Sequence, residues 1–194
     1  MKGFECMTID FCNLDITNMR VIPYFITKLG SNIETLVIRN MNTEMLLSTE
    51  YMFVNNKYLK LIDLGNMNTD NISSMYGMFK NCKSLEKIIM KSSSTWRLIN
   101  VGEMFNFCGS LTDIDLPAII PDGSSIYDMT YMFSGCKSLK KLNLSTMNIS
   151  GSTVVTRAFS WCMGLSDKTC DLIRPSNKYS WSRLKPEIDD KGTF

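Results

Sequence analysis

Histidine and glutamine are both absent from this 194-residue chain. Without imidazole there is no histidine general base, no Ser-His or Cys-His pair and no His-containing metal site. The missing glutamine, beside abundant Asn, Ile, Lys and Met, reflects the base composition of the gene rather than chemistry. No apolar stretch approaches the ~20 residues of a membrane-spanning helix, so no membrane span is expected. Phosphate-cradling motifs of the G-x-G-x-x-G or G-x-x-x-x-G-K-[ST] kind are lacking too. An excess of one charge is also missing, with 21 Lys and Arg against 19 Asp and Glu for a net charge of +2. The densest basic groups are "KSLKK" at 137–141 and Arg174, Lys178, Arg183 and Lys185, which are too thin to predict a nucleic-acid partner. The opening "MKGFECMTIDF" has no hydrophobic h-region, so no signal peptide is expected. A cytoplasmic or virion-associated protein follows, unless export takes another route.

What the chain does have is a repeat. Met-Phe recurs at Met52-Phe53, Met78-Phe79, Met104-Phe105 and Met132-Phe133, in steps of 26, 26 and 28 residues, and a degenerate Ala158-Phe159 follows 26 further on. A fixed period in the twenties marks a solenoid of stacked supersecondary units. Counted from the Phe, apolar residues return six on (Leu59, Leu85, Leu111, Leu139, Leu165), nine on (Ile62, Ile88, Ile114, Leu142) and eleven on (Leu64, Met90, Leu116, Leu144). Ile33, Leu36, Ile38 and Met41 form an earlier copy, and Ile9, Phe11 and Leu14 a partial one over 4–20. At this length the chain can bury one continuous core.

Each repeat contains two periodicities. M-x-x-M-F, as in Met75, Met78 and Phe79, has the i, i+3, i+4 spacing of one helical face. The pair Ile62 and Leu64, like Leu142 and Leu144, alternates as a half-buried strand does. Asn, Ser, Thr, Asp and Gly fill the joints, where turns and caps need them. The expected fold is an α/β solenoid, a right-handed stack of about six strand-turn-helix rungs with a parallel sheet on one side. It runs over residues 1–173 and is followed at 174–194 by a segment that leaves the repeat and serves as a cap or a docking arm.

The string M-x-x-M-F-x-x-C-x-S-L-x-x-L-x-L, carried by "MYGMFKNCKSLEKI", "MTYMFSGCKSLKKLNLSTMN" and less well by "VGEMFNFCGSLTDIDLP", resembles the leucine-rich repeats of BspA-like bacterial surface proteins, also met as mycoplasma-type lipoprotein repeats. The resemblance implies a leucine-rich-repeat fold and a non-catalytic module for protein binding, adhesion or surface display. It names no ligand. The family's surface members carry a secretion signal or a lipoprotein cysteine, and the stretch at hand shows neither.

Of seven cysteines, Cys82, Cys108, Cys136 and Cys162 share the slot three residues after the Phe, which Asn56 and Gly30 fill in earlier rungs. A slot that accepts Asn or Gly reads as a packed core position rather than a metal or disulfide ladder. C-x-x-C spacing is absent, and no cofactor is expected. Most of the fifteen methionines fall on the template's buried positions and read as core.

A partner is expected on the outward face of the sheet, at alternate strand positions. Those residues are Val37 and Arg39, Leu61 and Asp63, Lys87 and Ile89, Asp113 and Asp115, and Lys141 and Asn143. Trp96, in the Ser-rich loop "MKSSSTWRLINV", and Tyr179 and Trp181 in the tail are candidate interface anchors. The expected partner is a protein, either a host surface protein or an assembly neighbour, with a glycan as a second ligand class and a homo- or hetero-multimer as the assembly form. The alternative is a structural subunit of a phage or virus particle. A carboxylate-based hydrolase is the distant third.

Overall fold

The computed structural model describes residues 7–10, 15–30, 33–121, 124–166, 171–173, 175 and 178–189. It is a solenoid of about five turns in which every strand pairing is parallel. The first sheet stacks β1 (Met7–Asp10), β2 (Ile33–Val37), β3 (Leu61–Met67) and β4 (Lys87–Ser92) in chain order. Ile62 and Leu64 of β3 are buried, as alternation predicts, and Met67 is buried out of that phase, after the register shift that follows Asp63. The strand column then resumes as a second sheet, β5 (Asp113–Ile114), β7 (Lys141–Asn143) and β9 (Asp171–Ile173).

The sheet breaks after β4 for a local reason. Asp115 caps a short helix, α1 (Leu116–Ile119), by accepting from the Ala118 N–H, and Pro117 sits in its first turn. The extra residues of the 28-residue step are thus spent on a helical turn that buries Leu116 and Ile119, and β5 stops at two residues. Along a second flank, single parallel bridges join Val21, Ser48, Ser74, Asn100 and Asp128. They end in β6 (Ile126–Asp128) paired with β8 (Ile149–Val154).

The M-x-x-M-F segments are not helical turns. They are overlapping β-turns with a strict alternation of hydrogen bonds. In residues 75–82, the N–H groups of Met78, Lys80 and Cys82 donate within the rung to Met75, Gly77 and Phe79, whereas those of Met75, Gly77, Phe79 and Asn81 donate to Asn100, Gly102, Met104 and Asn106 of the next rung. A helix would send every N–H back along its own segment. Here half go to a neighbour, and the chain turns through positive φ at Gly77 and Asn81 to allow it. The same columns hold Tyr51 and Asn55, Glu103 and Phe107, Tyr131 and Gly135, and Arg157 and Trp161, all at positive φ. The apolar spacing survives because Met75, Met78, Phe79 and Cys82 still face inward and are wholly buried.

Stacking aligns like with like. Phe53, Phe79, Phe105, Phe133 and Phe159 form one column with ring centroids 5.3–5.7 Å apart and planes within 14°. This is offset stacking, favourable beyond the area buried. The cysteine column is equally regular. The thiols of Cys82, Cys108, Cys136 and Cys162 donate to the carbonyls of Phe53, Phe79, Phe105 and Phe133 in the preceding rung, with sulfur to oxygen distances of 2.9–3.2 Å. Asn56 fills the same slot and donates through Nδ2 to Ile26 O at 2.9 Å. The slot therefore takes a small residue that can also donate. A third column runs through the joints, where Thr43, Thr69 and Thr95 are buried and donate to the carbonyls of Asn68, Ser94 and Pro121.

After the last turn, a 3-10 segment (Met163–Ser166) and β9 lead to α2 (Lys178–Asp189). Leu184 and Ser180 of α2 are fully buried, and Ser180 Oγ accepts from the Ile149 N–H. Arg183 donates to the Thr153 carbonyl at 2.7 Å. Parts of the partial first rung at 4–20 and of 174–194 lie outside the described residues, among them Phe11 and Leu14.

Phe105→Ala is expected to cost about 3–5 kcal/mol, because a stacked ring between two others leaves a void its neighbours cannot fill. Denaturant unfolding measures it, and Phe105→Leu should lose less. Burial pushes the thiols of Cys82 and Cys162 up to about 12, and those of Cys108 and Cys136 upward as well. The folded chain then holds these protons while the unfolded chain releases them. Stability is complete below pH ~8.5 and falls above it, by roughly 1.4 kcal/mol per pH unit per thiol. Urea midpoints at pH 7.5 and 10 check this, and Cys108→Ala should shrink the difference between the two.

Candidate functional site

Two surfaces stand out once the solenoid is built: the strand face and the face made by the turns. On the strand face, Lys87, Asp113, Asp115 and Lys141 are exposed, and Ile89 is 37% exposed. Val37, Leu61 and Asn143 are half-buried between their neighbours. Lys141 Nζ lies 4.0 Å from Asp113 Oδ2 with both side chains more than 60% exposed, so this pair contributes little to stability.

Asp63 is a correction to the outward reading. It is 2% exposed. The Arg39 guanidinium covers it, with Nε donating to Oδ2 at 2.8 Å and Nη2 joining the same oxygen, while Oδ1 accepts from the Gly65 N–H at 3.0 Å. Its hydrogen bond from Arg39 holds the carboxyl below the ordinary carboxylate range, against the opposing effect of burial. Asp63 stands between Val37 and Ile89 on the neighbouring strands, and the pairing with β4 shifts register just after it. Arg39 is engaged by the same pair. Asp115 is partly committed as the cap of α1. Trp181 also departs from the expectation, since it is partly buried against the core cluster. Trp96 and Tyr179 remain exposed, at 57% and 46%, and the Arg97 guanidinium sits 4.4 Å over the Trp96 ring.

The turn face carries residues that the repeat template does not single out. Tyr24 and Tyr51 stack in parallel, with centroids 5.3 Å apart and planes 5° apart. Tyr51 meets Tyr76 edge to face, and Tyr76 is held neutral by burial and by the nearby Glu103 carboxylate. Lys80 pairs with that same Glu103. An open groove of about 450 Å³ lies along these rungs between Tyr24 and Phe107. The signal available in the sequence was the run Asn55, Asn81, Phe107, Gly135 and Trp161 in one column, which mixes turn formers and aromatics where a helix would have neither reason to exist. Beside the bridge ladder Leu47, Ile99 and Tyr127 are exposed in one column, with Ser73 between the first two, and Val21 is exposed at the start of the ladder itself.

Among the described residues no three of His, Cys, Asp and Glu converge to hold a metal ion, and no helix is long and apolar enough to cross a membrane. Comparison with known proteins adds the family. Residues 10–117 match the family described as Mycoplasma protein of unknown function, DUF285, and residues 102–176 match the BspA type leucine-rich repeat region (6 copies). The chain belongs to this BspA-like, mycoplasma-type leucine-rich-repeat family. Its repeats are of the kind used in protein-binding modules, which are typically non-catalytic. No curated protein and no solved structure matches.

Asp63→Asn should destabilise the fold by about 1–3 kcal/mol, through loss of a charged hydrogen-bond pair whose acceptor is buried. Because the folded carboxyl titrates below its unfolded value, its contribution is present above pH ~4 and is lost as pH falls through the folded value. The gap in urea midpoint between wild type and Asp63→Asn should therefore narrow progressively as pH falls below about 4.

Proposed function

We propose that this chain is a non-catalytic recognition module of the surface or adhesion type that binds a protein partner across its strand face. The observation that carries the reading is the exposed set Lys87 and Ile89 on β4, the last strand of the first sheet, and Asp113 and Lys141 on the paired strands β5 and β7 of the second. Two successive parallel sheets presenting mixed charge around one apolar residue can recognise a complementary surface with little rearrangement. Trp96, backed by Arg97, is an anchor with little ordering cost. The segment 174–194 acts in this reading as the cap of a solenoid spanning 1–173, which the burial of Leu184 and Ser180 supports.

A second reading, a subunit of a larger assembly, draws support from the exposed apolar side chains Val21, Leu47, Ile99 and Tyr127. Light scattering of the full chain separates the two. The recognition reading expects a concentration-independent monomer that captures a member of a panel of surface and matrix proteins. Lys87→Glu with Ile89→Asp should abolish capture while shifting the melting temperature by only a few degrees, as surface changes do. A defined multimer that dissociates on Ile99→Asp would replace recognition with assembly. A version ending at Ile173 should aggregate if the tail is the cap, and should lose only a multimer if it is a docking arm.

A further inference from the structure

The turn face holds a second site, distinct from the strand face. We propose that the groove between Tyr24 and Phe107 binds an acidic glycan, with a uronate, sialate or sulfated sugar as the recognised unit. Three features of the groove converge on that chemistry.

The first is an aromatic platform. Tyr24 is 60% exposed and Phe107 50% exposed, and both line the groove. Tyr24 is stacked on Tyr51, and the rings of Tyr51 and Phe107 are each seated on a glycine of the next rung. A Cβ on Gly77 would come within 2.7 Å of the Tyr51 ring, and one on Gly135 within 2.7 Å of the Phe107 ring. Glycine at these two positions, both at positive φ, lets each ring lie flat on the next rung. Flat, pre-placed aromatic faces suit the apolar C–H face of a sugar ring, at little ordering cost.

The second is a pair of amides on the groove floor. Asn81 Nδ2 donates to Asn55 Oδ1 at 2.6 Å. Each amide is left with capacity toward the groove, donors on Asn55 and an acceptor on Asn81. Both residues sit at positive φ on adjacent rungs, so their separation is set by the stack. Neighbouring sugar hydroxyls need such a donor and acceptor at fixed spacing.

The third is charge. Lys80 is neutralised by Glu103, but Lys83 lines the same groove without an acidic neighbour among its lining residues. A second groove of about 360 Å³ shares Asn55 and brings Lys28 and Lys57. Lys28, Lys57 and Lys83 are exposed. Three cations around one aromatic and amide floor select an anion. They are too few for a polynucleotide, whose affinity rests on many phosphate contacts.

Calorimetric titration of the full chain with sialyllactose and with a heparin-derived hexasaccharide tests this, against neutral lactose and a twelve-residue oligothymidylate. Binding of at least one acidic sugar is expected in the micromolar to low millimolar range, weakening as salt is added. Tyr24→Ala and Lys83→Glu, both at exposed positions, should each reduce affinity about tenfold or more. Lys87→Glu with Ile89→Asp on the strand face should leave it unchanged, so this result and the partner-capture result fail independently. The proposal is overturned if no acidic sugar binds at about 10 mM, if lactose or the oligothymidylate binds as tightly, or if Tyr24→Ala binds like wild type while remaining folded by circular dichroism.

Discussion

The rest of this molecule depends on one interaction, the backbone N–H to C=O bond between corresponding residues of successive rungs. It recurs in the strands, in the single bridges of the second flank and in alternate residues of the turns. Because it joins equivalent positions, it sets each rung directly over the last. Nothing in a 26-residue unit could bury a core alone, and stacking is what supplies one.

Once register is set, each column must solve the same packing problem at every level. Five phenylalanines stack because each is the floor of the next. Cysteine and Asn56 share a slot because both are small enough to bury and both can donate to a carbonyl one rung back. Thr43, Thr69 and Thr95 close the joints in the same way. Buried polar groups are expensive when unpaired, so these columns keep polar atoms inside only where the neighbouring rung offers a partner. Positive φ at Tyr51, Glu103, Tyr131 and Arg157 costs about 1 kcal/mol each, and the inter-rung bonds it permits offset that.

The surface follows from the same geometry. The strand face exposes what alternation leaves over, and the turn face exposes what positive φ swings outward. Family membership agrees with binding as the general role of such repeats, and the two faces differ in chemistry: mixed charge with one apolar residue on the strands, aromatic, amide and lysine on the turns. A rigid stack can serve both without one disturbing the other, since the core between them is continuous.

The sequence by itself determined the period, the parallel stacking and the membership of the core. Phe79, Leu85, Ile62 and Leu64 are buried where the template puts them, because apolar spacing reports burial directly. It did not determine how the Met-Phe segments are bonded. An i, i+3, i+4 pattern fits a helical face and a chain of overlapping turns alike, and only the neighbouring rung decides which, by accepting every second N–H. Gly77, Asn81 and Asn55 hinted at turns, whereas Tyr51 and Glu103 hid them. The tertiary structure also decided which polar side chains remain available. Asp63 sits at an outward strand position, yet the Arg39 side chain reaches across from the neighbouring rung and buries it. Tyr24 and Phe107 are far apart in the chain, yet stacking brings them to one groove. Burial along a strand is a local, periodic property. Pairing between rungs is not, because it depends on which side chain the stack happens to place above which.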